Sequence, residues 1–230
     1  MVARSASGVR RRASDPFRFD KALLAESACG VSSADLCLAG ADEAGRGCLA
    51  GPLVAAAVVL DYAREPLSGP EGLTDSKQLT PWRRETLFTV ILSVAHRVSW
   101  VAVSPRTIDE VGLHRCNIAA LGRAVESLHG EYRLAMVDGF AFQRAELRSQ
   151  GLVGGDYKSA AVAAASVVAK VVRDHVMRSL APYYPDYGFD EHVGYGTERH
   201  RDALRRLGPC CLHRLSFQGV AEPQLGLWDE

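Results

Sequence analysis

The sequence predicts an α/β domain: a mixed sheet flanked by helices, with a small helical appendage near the C-terminus. Three observations carry that expectation. Short apolar runs come first, at residues 36–41 and 53–60; later runs alternate with stretches of helical spacing; and residues 160–180 form a long Ala-rich segment without a breaker.

Residues 1–14 are rich in Ser and Arg, have almost nothing to bury, and read as a disordered basic arm. Phe17, Leu23 and Leu24 at helical spacing give a short helix over 17–28 that stops near Gly30. The runs 36–41 and 53–60 are continuously apolar, which suits strands buried on both faces. Thr80-Pro81 has the form of an N-cap with proline at the first helical position and starts a helix to about 95. Residues 97–103 alternate as a strand does. Ser104-Pro105 repeats the helix-start signal, and Leu113, Ile118, Leu121, Val125 and Leu128 share one side of a helix over 113–128. A short apolar strand, 134–137, stops at Asp138-Gly139. On the helix over 160–180, Ser166, Lys170 and Asp174 recur every four residues along one face. Pro182, Pro185 and Gly188 break that pattern, and a last helix over 198–207 stops at Gly208-Pro209. The organisation expected is an arm (1–14), a core (15–180), a helical appendage (181–217) and a flexible tail (218–230).

Lys+Arg and Asp+Glu number 27 each, so a uniformly basic coat is excluded and any polyanion site must be local. The longest apolar stretch, 49–60, is interrupted by Gly51-Pro52 and falls short of the about 20 residues that cross a bilayer. Arg10, Arg11 and Arg12 are followed by no apolar stretch of the kind a secretory signal needs, so a cytoplasmic monomer is expected. Cys29, Cys37, Cys48, Cys116, Cys210 and Cys211 form no C-x-x-C pair and read as free thiols.

Chemistry concentrates at strand ends. Asp42-Glu43 lie where the first strand runs into a Gly-rich elbow, and Asp138 lies where a later strand meets Gly139. Neighbouring strands would bring these acids together, and the long helix can deliver Asp174 to the same place. Clustered carboxylates repel unless cations neutralise them, and hard oxygen ligands suit Mg²⁺ or Mn²⁺. Gly45-Arg46-Gly47 adds a cation between two residues that let backbone N–H groups approach an anion. Each feature alone also fits an ordinary turn, and Ser166 and Lys170 alone fit a polar helix face.

Taken together, the segments AGADEAGRGCLAGPLVAAAVVL (39–60), DSKQL (75–79), VDGF (137–140), GGDYKSAAVAAASVVAKVVRD (154–174), GYGT (194–197) and HRLSF (213–217) resemble bacterial ribonuclease HII, the type 2 ribonuclease H family. The resemblance covers roughly residues 36–217. It implies a ribonuclease H-like fold and an endoribonuclease acting on the RNA strand of RNA-DNA hybrids. It further implies incision 5′ of single ribonucleotides in duplex DNA, leaving 3′-hydroxyl and 5′-phosphate ends, with two Mn²⁺ or Mg²⁺ ions. The family's four acids map onto Asp42, Glu43, Asp138 and Asp174. Gly45, Arg46 and Gly47 match the loop that reads the ribonucleotide 2′-hydroxyl, and Tyr195 matches a tyrosine that stacks on the following sugar. Lys77, Ser166 and Lys170 fall on motif positions that suit phosphate contacts. Cys48 stands where proline is common, and Tyr157 lies inside the G-D-x-K segment. The alternatives are a ribonuclease HIII-like enzyme and a hybrid-binding module without activity. Outside the resemblance, the tail from Gln224 to Trp228 is similar to the short peptides that dock on sliding clamps.

Overall fold

A computed structural model of the chain describes residues 15–27, 36–63, 79–142 and 144–221. The arm at 1–14, Lys77, Cys29 and the tail segment Gln224–Trp228 lie outside the described residues.

Five strands form one mixed sheet: β1 (Cys37–Ala44), β2 (Leu53–Asp61), β3 (Arg97–Val103), β4 (Leu134–Asp138) and β5 (Ser149–Leu152), in the order β3-β2-β1-β4-β5. β1 pairs antiparallel with β2 and parallel with β4, so the central strand carries both kinds of ladder. Helices cover both faces. α1 (Pro16–Ser27), α2 (Pro81–Val94) and α6 (Ala160–Leu180) pack on one face with Leu38, Val58 and Met136. On the other, α4 (Leu113–Glu126) covers Ala39, Ala57 and Val137. Burial of β1 and β2 on both faces is why they read as continuous apolar runs rather than alternating ones.

Both proline-marked helix starts are present. Thr80 and Ser104 are N-caps whose side chains accept from Arg83 N and Thr107 N, opening α2 and α3 (Pro105–Val111). The Ala-rich composition of α6 lets it lie against β1 at close range. A Cβ on Gly40 would fall 2.0 Å from the Ala161 carbonyl carbon, so strand and helix backbones are nearly in contact. Asp20 of α1 accepts hydrogen bonds from Ala161 N at 3.0 Å and from the Tyr62 hydroxyl, anchoring the start of α6. Burial pushes the Asp20 carboxyl up to about 6.

Three short elements were not anticipated: β5, α5 (Gly155–Lys158), a single turn leading into α6, and the four-residue helix Phe189–His192. Beyond α6, α7 (Phe189–His192) packs with the end of α6 around Phe189, Met177, Val193 and Ala50, and α8 (Glu198–Leu207) joins them through His200, whose ring meets Phe189 edge-on. The segment after residue 180 therefore closes over the loop that follows β1. Among the described residues Cys37, Cys48, Cys116, Cys210 and Cys211 are free thiols, and no helix is long and apolar enough to cross a membrane.

Candidate active site

The register of β1 and β4 builds the acidic centre. Ala41 lies opposite Val137 in the parallel ladder, so the next step sets Asp42 beside Asp138 on strands about 4.8 Å apart. Side chains alternate along a strand, so these two acids face α6 whereas Glu43 turns toward α4. The contacts agree. Asp42 has the Ser166 hydroxyl of α6 as a hydrogen-bond partner, and Glu43 has the Asn117 side chain of α4.

Asp42 is 3% exposed. Its Oδ1 accepts from Glu43 N at 2.8 Å, and Oδ2 has no hydrogen-bond partner among the described residues. Burial first, then the charge of Glu43, pushes this carboxyl up to about 8, with Asp138 adding to the repulsion. Burial also raises Glu43, against the pull of Arg46, whose Nη1 lies 3.3 Å from Glu43 Oε1. Asp138 Oδ1 accepts from Gly155 N at 2.8 Å. Glu43, Arg46, His114, Asn117, Asp138 and Phe140 contribute to the wall of an open cavity of about 660 Å³.

Asp174 is not brought to this centre. It lies eight residues beyond Ser166, about 12 Å further along the helix axis. There it accepts from Lys170 Nζ at 2.7 Å and has Arg84 and Arg173 nitrogens at 3.8 Å. Four-residue spacing does put Ser166, Lys170 and Asp174 on one face, but the face runs away from Asp42 toward Tyr195. Lys170 Nζ stands 4.8 Å from the Tyr195 ring centroid, and burial lowers the lysine's pKa.

A further buried acid adjoins the backbone group that holds Asp138. Asp156 is 5% exposed and directly follows Gly155, whose N–H holds Asp138. The available signal was its place in the GGDYK segment, just before the long helix.

The second half of the site is a pair of loops. The loop from Gly45 to Pro52 meets the loop from Val193 to Thr197 through Leu49 N and Ala50 N, which donate to Gly194 O at 2.9 and 3.3 Å. Tyr195, 38% exposed, has Cys48 as a side-chain hydrogen-bond partner; burial pushes its hydroxyl up to about 12. Arg46 and Gly47 are exposed at the tip of the first loop.

The centre fits hard divalent cations in its donor chemistry: a buried carboxylate oxygen without a partner, repelled by two neighbouring acids. Among the described residues no three His, Cys, Asp or Glu side chains stand close enough to form a ready-made cage.

The sequence profile described as Ribonuclease HII matches residues 39–220. A curated Ribonuclease HII from Azorhizobium caulinodans is 46% identical over 228 residues, covering 99% of this chain and 83% of the relative. The chain belongs to the ribonuclease HII family. Among solved structures, the ribonuclease H2 from Pyrococcus horikoshii OT3 superposes with a TM-score of 0.67 at 28% identity, covering 80% of this chain and 95% of the other. The RNase HII in a PCNA:RNase HII complex from Archaeoglobus fulgidus does so at 0.65 and 29%, covering 77% and 92%. The protein is thus a ribonuclease H-type nuclease of a family that needs divalent metals and acts on RNA-DNA hybrids, and the fold is the expected one.

Proposed function

We propose that this ribonuclease HII incises duplex DNA on the 5′ side of a single embedded ribonucleotide, as well as cutting the RNA strand of hybrids, by two-metal hydrolysis. The observation that carries the reading is the buried Asp42 carboxylate, with its unpartnered Oδ2 beside Glu43 and Asp138, next to a Gly-Arg-Gly loop whose Arg46 and Gly47 are exposed. Bound divalent ions supply activation of a water and stabilisation of the leaving 3′ oxygen. Asp42, Glu43 and Asp138 are the residues to hold them. For the fourth acid we favour Asp156 over Asp174, since Asp156 adjoins Asp138 whereas Asp174 is already satisfied by Lys170.

The chain's own groups have separable tasks in this reading. Ser166 and Glu43 N hold the Asp42 carboxylate in place, Asn117 orients Glu43, and Arg46 neutralises Glu43 until a cation replaces it. Gly45 to Gly47 face the ribonucleotide 2′-hydroxyl, and Tyr195 offers its exposed ring to the next sugar. Lys170, beside that ring, suits a phosphate contact, as does Lys77. Since the acids make no complete cage among the described residues, a substrate phosphate would supply the further oxygen ligands that bound ions need. The test is a labelled duplex carrying one ribonucleotide. Incision with Mg²⁺ or Mn²⁺, abolished by chelation and restored by metal, is the expected result; metal-independent incision would refute the reading.

We also propose that Gln224–Trp228 docks on the sliding clamp, which would keep a protein of zero net charge on DNA by tethering. The Archaeoglobus fulgidus complex of a relative with PCNA supports it. Full-length protein is expected to bind the cognate clamp and protein truncated after Val220 is not; equal binding by both would exclude the tail.

A further inference from the structure

Beneath the two loops lie two guanidinium groups that the reading above does not use. Arg173 and Arg214 are both 0% exposed. Arg173 donates from Nε to Pro52 O at 3.0 Å, from Nη2 to Ala50 O at 3.0 Å and from Nη1 to Val193 O at 2.9 Å. Arg214 donates from Nη1 to Arg46 O at 3.0 Å, and from Nε and Nη2 to Gly51 O at 3.1 and 3.0 Å. All six bonds go to backbone carbonyls and none to a carboxylate. The Asp174 oxygen near Arg173 stands at 3.8 Å. Burying a cation whose hydrogen bonds all go to peptide dipoles, with carboxylates acting only from a distance, is costly, and well-packed apolar side chains commonly serve stability as well or better. The arrangement therefore asks for a reason beyond stability.

Peptide geometry supplies one. In a trans peptide the C=O and the following N–H point in opposite directions. With the Arg46 carbonyl turned inward onto Arg214, the Gly47 N–H is turned outward. Gly47 is exposed, a Cβ there would meet nothing within 4 Å, and its N–H has no acceptor among the described residues. Arg173 does the corresponding work between the loops. Gly45 (φ +92°) and Gly194 (φ +87°) are both left-handed. A Cβ on Gly45 would fall 2.1 Å from Arg173 Nε, and one on Gly194 would fall 2.3 Å from Ala50 O and 3.3 Å from Arg173 Nη2. The two motif turns are folded around one guanidinium, whose carbon also lies 5.6 Å from the Tyr195 ring centroid.

We propose that Arg173 and Arg214 are positioning residues for ribonucleotide recognition: they pin the carbonyls of both loops inward and so hold the Gly47 N–H and the Tyr195 ring at a fixed separation. This rests on the reading that Gly45 to Gly47 and Tyr195 contact the ribonucleotide. Neither arginine touches the substrate. Lysine cannot substitute, because a point charge on a flexible stem does not reproduce a planar fork of donors.

The test uses full-length Arg214→Lys and Arg173→Lys proteins, each first checked for a cooperative thermal melt. KM and kcat are measured on a duplex with one ribonucleotide, and an all-DNA duplex of the same sequence is titrated as a competitor. The expected result is a KM raised tenfold or more, kcat within threefold, and an inhibition constant for the all-DNA duplex within threefold of the parent. A purely structural role would move the melt and weaken both duplexes together. The inference is overturned by an unchanged KM in melting-competent variants, by equal weakening of both duplexes, or by failure of both variants to fold. The parent protein separates the two levels: if it does not cut the ribonucleotide duplex, the functional reading fails; if it cuts and the variants match it, only this inference fails.

Discussion

Asp156 and Asp174 give the sharpest contrast at the scale of single residues. Replacing Asp156 by Asn removes a charge from a buried carboxyl next to Asp138, so turnover at saturating Mg²⁺ or Mn²⁺ should fall by about a hundredfold or more, the scale of losing several kcal/mol of charge stabilisation. Asp174→Asn leaves a group that Lys170 can still approach, and turnover should stay within about tenfold, a difference near 1.4 kcal/mol. Turnover numbers for the two purified variants decide the matter, and the reverse order would restore Asp174 to the metal centre. Asp42, Glu43 and Asp138 were legible in the sequence because acids at the ends of apolar runs become neighbours when those runs pair. Asp156 was not, because its four-residue turn has no periodicity to place it. Arg173 and Arg214 were hidden for another reason: arginine is a surface residue by default, and nothing local to the sequence shows two buried guanidinium groups sharing five backbone carbonyls.

At the scale of elements, the site depends on how closely α6 lies against β1. Gly40→Ala sets a methyl group into helix backbone that cannot retreat, so it should cost about 3 kcal/mol or more or prevent folding. A thermal melt indistinguishable from the parent would show that strand and helix are further apart. Long elements were read well: residues 97–103 and 160–180 have the bounds that their patterns suggested. β5 escaped because Ser149–Leu152 holds no β-branched or aromatic residue and sits at the sheet edge.

The linkage between α7, α8 and the 208–213 segment carries a pH dependence. Cys210 N donates to His213 Nδ1 at 2.9 Å. His213 Nε2–H can then donate to His200 Nε2 at 3.0 Å, and His200 Nδ1–H to Tyr195 O at 2.9 Å. The chain works with both rings neutral. Burial lowers His200 to about 4, against an ordinary 6.5. Between those values the unfolded chain binds the extra proton, so this contribution is complete above pH 6.5 and is lost as pH falls to 4. The stability difference between the parent and His200→Gln should therefore shrink over that window. A constant difference from pH 7 to pH 4 would contradict the neutral chain.

For the molecule as a whole, the sheet delivers acids to one end of β1 and β4, and the segment beyond α6 closes over the loop next to them. In the proposed reading, α6 links the two halves of the site, with Ser166 at the acids and Arg173 beneath the loops. Zero net charge places the burden of specificity on that local arrangement rather than on a general affinity for nucleic acid. The most direct measurement is single-turnover cleavage of one end-labelled duplex, with either one ribonucleotide or none, by the parent protein and Asp42→Asn in Mg²⁺ and Mn²⁺. The account requires a single cut by the parent immediately 5′ of the ribonucleotide, no cut in the all-DNA duplex, and a loss of about a thousandfold or more in Asp42→Asn, roughly 4 kcal/mol of barrier. A parent that cuts both duplexes alike, or an Asp42→Asn protein that cuts within tenfold of the parent, would contradict it.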